Sequence, residues 1–398
     1  MLKPHILSVL HCKIIISYQH LYSFLGEVYG VKVVISGFFG AGNTGDEAIL
    51  ESMIDNLREE IDPINITVFS LSPEETSRKH QVKSIYRGWR RDFLKKIQTL
   101  READLLLSGG GGLLQDTYST KFLFGPLPYY LLIVFLAKLC GTKVMFFSQG
   151  IGPIETRWAK ILMKIFANMA DFITVRDEFS KDLLIKLGIN KPKTVVTADI
   201  VFAFKIKQDD ACYKSLPLTG KEKIIAVSVR PWFRHHQAFQ VLADALDELI
   251  EKDQFTPVFV PMEGEHDRIQ SEKVMGLMKN RDKCYILSTD FKPHQYLYFF
   301  RHAKIAIGMR LHFLIFAAKM GTPHIGISYD PKVKNFLERT GLWCYSFSME
   351  NLEKQRLLEN FRAILMEKQN VKMKLTKSIQ DLQQEAKRNI YLMKENFL

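Results

Sequence analysis

Several protein classes are excluded by what this 398-residue sequence does not contain. Its five cysteines (Cys12, Cys140, Cys212, Cys284 and Cys344) form no CxxC pair. Scattered thiols in mostly apolar surroundings argue against a disulfide scaffold or a zinc site, and they fit a reducing, cytoplasmic setting. No apolar run is long enough to span a bilayer: the strongest, Leu127–Leu139, is about 13 residues where roughly 20 are needed, and it reads as a buried helix. Residues 1–30 have an apolar run broken by His11 and Lys13 and no small-residue cleavage site, so they do not read as a signal peptide. We expect Val31 to be the true start, encoded by an alternative start codon. Acid is scarce from Arg78 to Arg101, where nine basic residues face Asp92 alone.

The net charge is +12, which favours anionic substrates or surfaces without choosing among them. No recognisable nucleic-acid module accompanies it. In the basic segment, Trp89, Phe93, Ile97 and Leu100 recur at helical spacing, with Arg90, Arg91, Lys95 and Lys96 mostly elsewhere on the helix. Two readings stand: peripheral contact with anionic membrane through Arg87 to Arg101, or a helix packed on its domain with a solvated basic face.

From Val31 onward short apolar runs alternate with amphipathic stretches, the pattern of parallel α/β units. Strands are expected at Lys32–Ser36, Ile66–Leu71, Asp104–Ser108, Lys143–Ser148, Phe172–Val175 and Thr194–Thr197. A polar stretch then interrupts, and strands resume at Ile224–Val229, Thr256–Val260, Cys284–Leu287, Lys304–Ile307 and His324–Ile327. The pattern predicts two doubly wound, Rossmann-like domains, 31–204 and 224–345, joined by a linker at 205–223 and followed by a helical tail, 346–398. Ligands of such sheets bind beyond the carboxyl ends of the strands, here in the cleft between the domains.

The motifs fall at those strand ends. Gly40 to Leu50, GAGNTGDEAIL, contains G-x-G-x-x-G, yet three features oppose a dinucleotide site. The strand is expected to end near Ser36-Gly37, so the match begins late. Asp46 and Glu47 occupy the first helical turn, where they suit the helix dipole and repel a pyrophosphate. The next strand ends without an acid for a ribose hydroxyl. Asn43 and Asp46 suit a hydroxyl-rich acceptor or fix the loop itself. In SGGGGLLQD, Gly111 and Gly112 let backbone amides face a ligand or let another segment approach closely. Asp116 reads as an acid or base, a ligand to sugar hydroxyls, or a cap. No Gly-Lys-Ser/Thr follows, so this is not a P-loop. In SQGIGP, Gln149 is placed to hydrogen-bond a substrate. Arg176 and Asp177 read as a simple ion pair.

In the second half Arg230 ends one strand, and PMEGEHD brings acids and His266 to another. Gly308 to His312, GMRLH, ends a strand and opens a helix. Free amides, an arginine and a histidine together make an anion site with a titratable group. Lys332, at the start of a further helix, opposes the dipole and points to an anion nearby.

Taken in order, GFFGAGNTGDEAIL, SGGGGLLQD, SQGIGP, VRDEFS, VPMEGEHD, GMRLHFLIFAAKMGTP and ISYDPKV resemble the polysaccharide pyruvyl transferase family, and particularly its CsaB-like branch, over roughly residues 31–345. The resemblance implies a GT-B-like architecture and transfer of pyruvate from phosphoenolpyruvate to a sugar as a cyclic ketal. It implies that Arg310, His312 and the Leu311 amide hold phosphoenolpyruvate, joined by Arg230. Lys332 is added on chemical grounds. His312 and Asp116 are the expected acid and base, and Asn43, Asp46, Gly111, Gly112 and Gln149 the acceptor side. No metal and no cofactor is expected beyond the donor. The expected acceptor is N-acetylmannosamine of a cell-wall or surface polysaccharide precursor, free or lipid-linked. The competing enzyme reading is a nucleotide-sugar glycosyltransferase on the same architecture; a degenerate, non-catalytic binding domain is disfavoured because Asp116, Arg230, Arg310 and His312 are all present.

Overall fold

The structure, a computed structural model, describes residues 30–88, 91–116, 125–231 and 236–398. The expectations for residues 1–29, and for Trp89 and Arg90, lie outside the described residues.

The first sheet has seven parallel strands: β1 (Val31–Phe39), β2 (Ile64–Ser70), β3 (Lys83–Tyr86), β4 (Leu105–Leu114), β5 (Lys143–Ile151), β6 (Phe172–Val175) and β7 (Lys193–Val196). Their order is β3-β2-β1-β4-β5-β6-β7, so the direction of winding reverses between β1 and β4. The second sheet comprises β8 (Lys223–Ser228), β9 (Phe255–Phe259), β10 (Tyr285–Ile286), β11 (Ala303–Gly308), β12 (His324–Ser328) and β13 (Phe347–Ser348). Its order, β10-β9-β8-β11-β12-β13, reverses between β8 and β11. This is the expected pair of Rossmann-like sheets. Strands β3 and β13 were not expected: one is four residues in a polar, basic stretch and the other only two, so neither carries an apolar run.

Successive side chains on a strand point to opposite faces. Val33 and Ile35 therefore join a core with α1 (Thr44–Glu60), while Val34 faces the opposite core. A short helix, α2 (Pro73–His80), follows β2. The opposite face is covered by α3 (Phe93–Glu102), α4 (Pro126–Leu139), α5 (Arg157–Phe166) and α6 (Glu178–Lys186). Leu127–Leu139 does form a largely buried helix, and among the described residues no helix is long and apolar enough to cross a membrane.

Between the sheets lie a 3-10 turn at Ile200–Ala203 and a short helix, α7 (Ala211–Lys214). The second sheet carries α8 (His236–Asp253), α9 (Gly264–Gly276), α10 (Pro293–Phe299), α11 (Leu311–Lys319) and α12 (Pro331–Arg339). One apolar core runs from β1 and α1 through the turn at 200–203 into the second sheet, so the two halves share an interior. Polar ties reinforce it: Ser52 Oγ donates to Ile200 O at 2.7 Å, and Lys319 Nζ donates to Phe202 O at 2.6 Å.

The tail forms α13 (Lys354–Met366) and α14 (Lys368–Phe397), and α14 returns to the first sheet. Leu375, Ile379, Leu382, Ala386, Ile390 and Met393 are buried there. Each large apolar side chain so placed contributes about 1.5–3 kcal/mol. Asn389 locks the register, accepting from Thr197 Oγ1 at 2.9 Å and donating to Ala198 O at 3.2 Å.

Three strands run further than the sequence pattern suggests, because their glycine-rich ends stay in the sheet. β1 reaches Phe39, β4 passes through all four glycines, and β5 reaches Ile151, each with a register shift near its end. Gly40 thus follows the tip of β1 directly, so the lateness of the G-x-G-x-x-G match no longer counts against a dinucleotide site. The other two objections hold: Asp46 and Glu47 lie in the first turn of α1, and β2 ends at Ser70 with no acid.

Candidate active site

Both winding reversals open into one cavity of about 310 Å³. It lies where open α/β sheets bind ligands, beyond the carboxyl ends of the strands at the switch point. The first sheet contributes Phe38, Asn43, Asp46 and Gly112, with Pro126 and Tyr130 from α4 and Arg176 from the end of β6. The second contributes Arg230, Glu263, Arg310, Leu311, His312, Tyr329 and Lys332.

Asn43 caps α1, its Oδ1 accepting from Gly45 N at 3.0 Å and Asp46 N at 3.3 Å. Thr44 N donates to Met262 O at 2.8 Å, which clamps this loop to the second sheet. Asn43 therefore fixes the loop while lining the cavity. The cap directs Asp46 toward the interior, where burial pushes its carboxyl up to about 7 even though His312 and Lys332 pull the other way. A carboxyl so tuned exchanges protons near neutral pH.

His312 lies in the first turn of α11, stacked over Gly45. A Cβ on Gly45 would lie 2.1 Å from His312 Nδ1, so only glycine lets the ring occupy this place. On its other side, Nε2 is 3.6 Å from Asp199 Oδ2, an ion-pair distance slightly too long for a hydrogen bond. Burial works to raise the Asp199 carboxyl, but His312, Arg176 and the Val201 amide outweigh it and hold it at about 2. Arg176 Nη1 donates to Asp199 Oδ2 at 3.1 Å, forming a buried chain from Arg176 through Asp199 to His312 that spans both sheets.

The two arginines of the second sheet differ. Arg230 Nη1 donates to Tyr329 OH at 2.5 Å, and its guanidinium lies 4.5 Å from the centre of that ring. Arg310 donates through Nε to Asp267 at 3.0 Å and through Nη2 to Asp267 and Glu263, both at 2.5 Å. Burial opposes its charge, but the two carboxylates keep the guanidinium firmly protonated. Lys332 Nζ pairs with Asp330 at 3.1 Å and reaches over Gly112, whose added Cβ would lie 3.7 Å from it.

Cations, a tuned carboxyl and a histidine thus converge on a small cavity, and residues 43–331 match the polysaccharide pyruvyl transferase family. The chain belongs to this family. It is therefore a transferase of polysaccharide pyruvylation. Amylovoran biosynthesis protein AmsJ of Erwinia amylovora is 21% identical over 407 aligned residues, covering 88% of this chain and 96% of that protein. A UDP-GlcNAc 2-epimerase from Neisseria meningitidis superposes with a TM-score of 0.63 at 14% identity, over 92% of this chain and 100% of that one. A glycosyltransferase from Rickettsia africae gives 0.62 at 14% identity, over 92% and 99%. At such identity these two structures establish the GT-B-like fold alone.

In this pyruvyl transferase the cavity gathers Asn43, Asp46, Gly112, Arg230, Arg310, Leu311, His312 and Lys332 of the expected site residues. Three others have different work. Asp116 does not line the cavity: its carboxylate accepts from Glu155 N at 2.9 Å, Thr156 N at 2.7 Å and Thr156 Oγ1 at 2.6 Å. These contacts tie down the turn that leads into α5. Gln149 is buried under the glycine strand and supports it, donating to Gly111 O at 3.1 Å and Gly150 O at 3.2 Å. Gly111 sits behind Asp46; its φ of +93° calls for glycine, and an added Cβ would crowd Asp46 Oδ1 at 3.1 Å. His266 is exposed and outside the cavity.

Asp199 was missed, and Arg176 was credited only with its neighbour Asp177, which it does approach at 3.7 Å. Asp199 stands three residues past the end of β7, so the strand-end rule that found Arg230 and Arg310 would have found it. Tyr329, Glu263 and Asp267 act by orienting the arginines, a role that becomes visible only in three dimensions.

Proposed function

We propose that this cavity binds phosphoenolpyruvate and moves its pyruvyl group onto two hydroxyls of a sugar as a cyclic ketal, releasing phosphate. The observation that carries this reading is the meeting of Arg230, Lys332, Arg176 and the α11 amino terminus in one cavity of a pyruvyl transferase family member. The donor has a carboxylate and a phosphate, which need at least two separate cationic anchors. Arg230, Lys332 and the Leu311 amide supply them, with Arg310 held by Asp267 and Glu263 as the organiser of the second-sheet wall.

The acceptor enters from the side of Asn43, Asp46 and Gly112. His312 gives a proton to the methylene carbon of the donor, which leaves an oxocarbenium-like carbon. Asp46 takes the proton of the first hydroxyl as its oxygen attacks. The bond to phosphate breaks, and the second hydroxyl closes the ketal. Of the two hydroxyl protons lost, one balances the new methyl group and the other leaves with phosphate. Asp199 keeps His312 oriented between the two sheets.

The relation to an amylovoran biosynthesis protein supports a polysaccharide precursor as acceptor. The motif resemblance to the CsaB-like branch supports N-acetylmannosamine within it. The test is incubation with phosphoenolpyruvate and a panel of mannosamine-containing and other sugars, followed by phosphate release and product mass. Mass gain with phosphate release from wild type, lost in His312→Ala, is the expected result. Full turnover by His312→Ala, or transfer from a nucleotide sugar with no use of phosphoenolpyruvate, would overturn the reading.

A further inference from the structure

The helices covering the outer face of the first sheet should be polar where they meet water, and α5 is not. Its sequence, RWAKILMKIF, leaves Ile161 59% and Ile165 53% exposed. Spaced four apart, they form one stripe with Arg157, and exposed Lys160 and Lys164 form the stripe beside it. No acidic residue occurs in the helix. At the start of α3, Phe93 is 42% and Leu94 81% exposed, next to Arg91 and Lys95 on the surface.

Between these helices, α4 exposes Leu139 at its end and binds both neighbours. Phe135 meets Phe166 of α5 with ring centres 5.5 Å apart, and Cys140 contacts Ile97 of α3 at 3.8 Å. The same α4 lines the cavity at its other end with Pro126 and Tyr130, so this face and the cavity share one helix.

The basic segment from Arg87 to Arg101 is not itself one cationic face. Arg87 is buried among the rings of Phe38, Tyr129 and Tyr130, and Lys96 points inward, donating to Tyr86 O, Gly88 O and Arg91 O at 2.7–2.9 Å. The exposed cations of these helices lie instead at both ends of α3 and along α5.

We propose that the outer face of α3, α4 and α5 docks on an anionic lipid bilayer, with α5 as its principal contact. Apolar side chains among lysines and arginines, with no acid on α5 and Asp92 paired to Lys95 at the start of α3, are the chemistry of helices lying in the headgroup region. A two-fold contact between copies of this chain would instead set this basic patch against the same patch of the other copy. Docking in this way holds the cavity mouth beside the membrane, where a lipid-linked sugar would present its hydroxyls.

The full chain is mixed at low salt with vesicles of phosphatidylcholine alone or of equal parts phosphatidylcholine and phosphatidylglycerol, and the bound fraction is measured by sedimentation. Binding to the anionic vesicles only, reversed by salt, is expected. Lys160→Gln with Lys164→Gln should weaken it about 30-fold, two cations at roughly 1 kcal/mol each. Ile161→Ser with Ile165→Ser should also weaken it. Both variants should keep the wild-type circular dichroism spectrum and wild-type turnover of a soluble acceptor, which separates docking from the reaction. Equal binding to neutral vesicles, or wild-type binding by both double variants, overturns the proposal. So does a dimer that Ile161→Ser with Ile165→Ser dissolves in a chain that ignores lipid.

Discussion

The loop after β1 and the end of β4 each combine a glycine run with an aspartate, and the structure uses them in opposite ways. Asp46 faces the cavity beside His312, with its carboxyl pushed up to about 7 by burial. Asp116 meets three donors at the start of α5 and stays outside the cavity. A carboxylate satisfied by backbone amides is committed to structure. One held in a cavity against a histidine and a lysine is available for proton transfer.

The largest expected effect is therefore on Asp46. Asp46→Asn keeps the shape and removes the base, and kcat for phosphate release should fall by about 10²–10⁴-fold, the usual share of general acid–base catalysis. Next is Gly45→Ala, whose methyl group would displace His312. A reacting group moved by about 1 Å can cost roughly 10²-fold in rate, and a loss of that order should appear in kcat with the fold intact by circular dichroism.

A smaller effect concerns stability. The folded protein holds the Asp46 proton more tightly than the unfolded chain does, because burial raises its pKa to about 7. The stability this confers is present below the unfolded carboxylate value and lost as pH rises through about 7. Asp46→Asn escapes that loss. Its Tm relative to wild type should rise by about 2–4 °C between about pH 5 and about pH 8, the scale set by roughly 2–3 kcal/mol, about 1.4 for each pH unit between 5 and 7, in a chain of this size. A constant difference across that range would show that the carboxyl titrates normally. The smallest catalytic effect belongs to Asp116→Asn, which should leave kcat within about threefold while lowering stability by about 1–2 kcal/mol through weakened amide contacts, measurable by urea unfolding.

Much of this architecture was legible in the chain because parallel strands buried on both faces read as apolar runs. LLLS before the glycines and KIAI before GMRLH are such runs. β3, KSIY, is an edge strand with partly exposed residues and gives no such signal. The second-sheet wall was legible as well, since GMRLH marks a helix amino terminus with its arginine and histidine. The surroundings of Asp116 were not legible, because an aspartate after a glycine run looks the same whether its neighbours in space are amides or a substrate. The donors that occupy it are Glu155 and Thr156, about forty residues away in sequence. Asp199 stood within reach of the strand-end rule, but its pairing with His312 was not legible, because His312 belongs to the other sheet.

The most direct test of the account sets Asp46→Asn and Asp116→Asn side by side, measuring kcat for phosphate release from phosphoenolpyruvate with a sugar acceptor that wild type turns over. The account predicts a loss of at least about 10²-fold for Asp46→Asn and near wild-type turnover for Asp116→Asn. An inactive Asp116→Asn that is fully folded, beside an active Asp46→Asn, would contradict it.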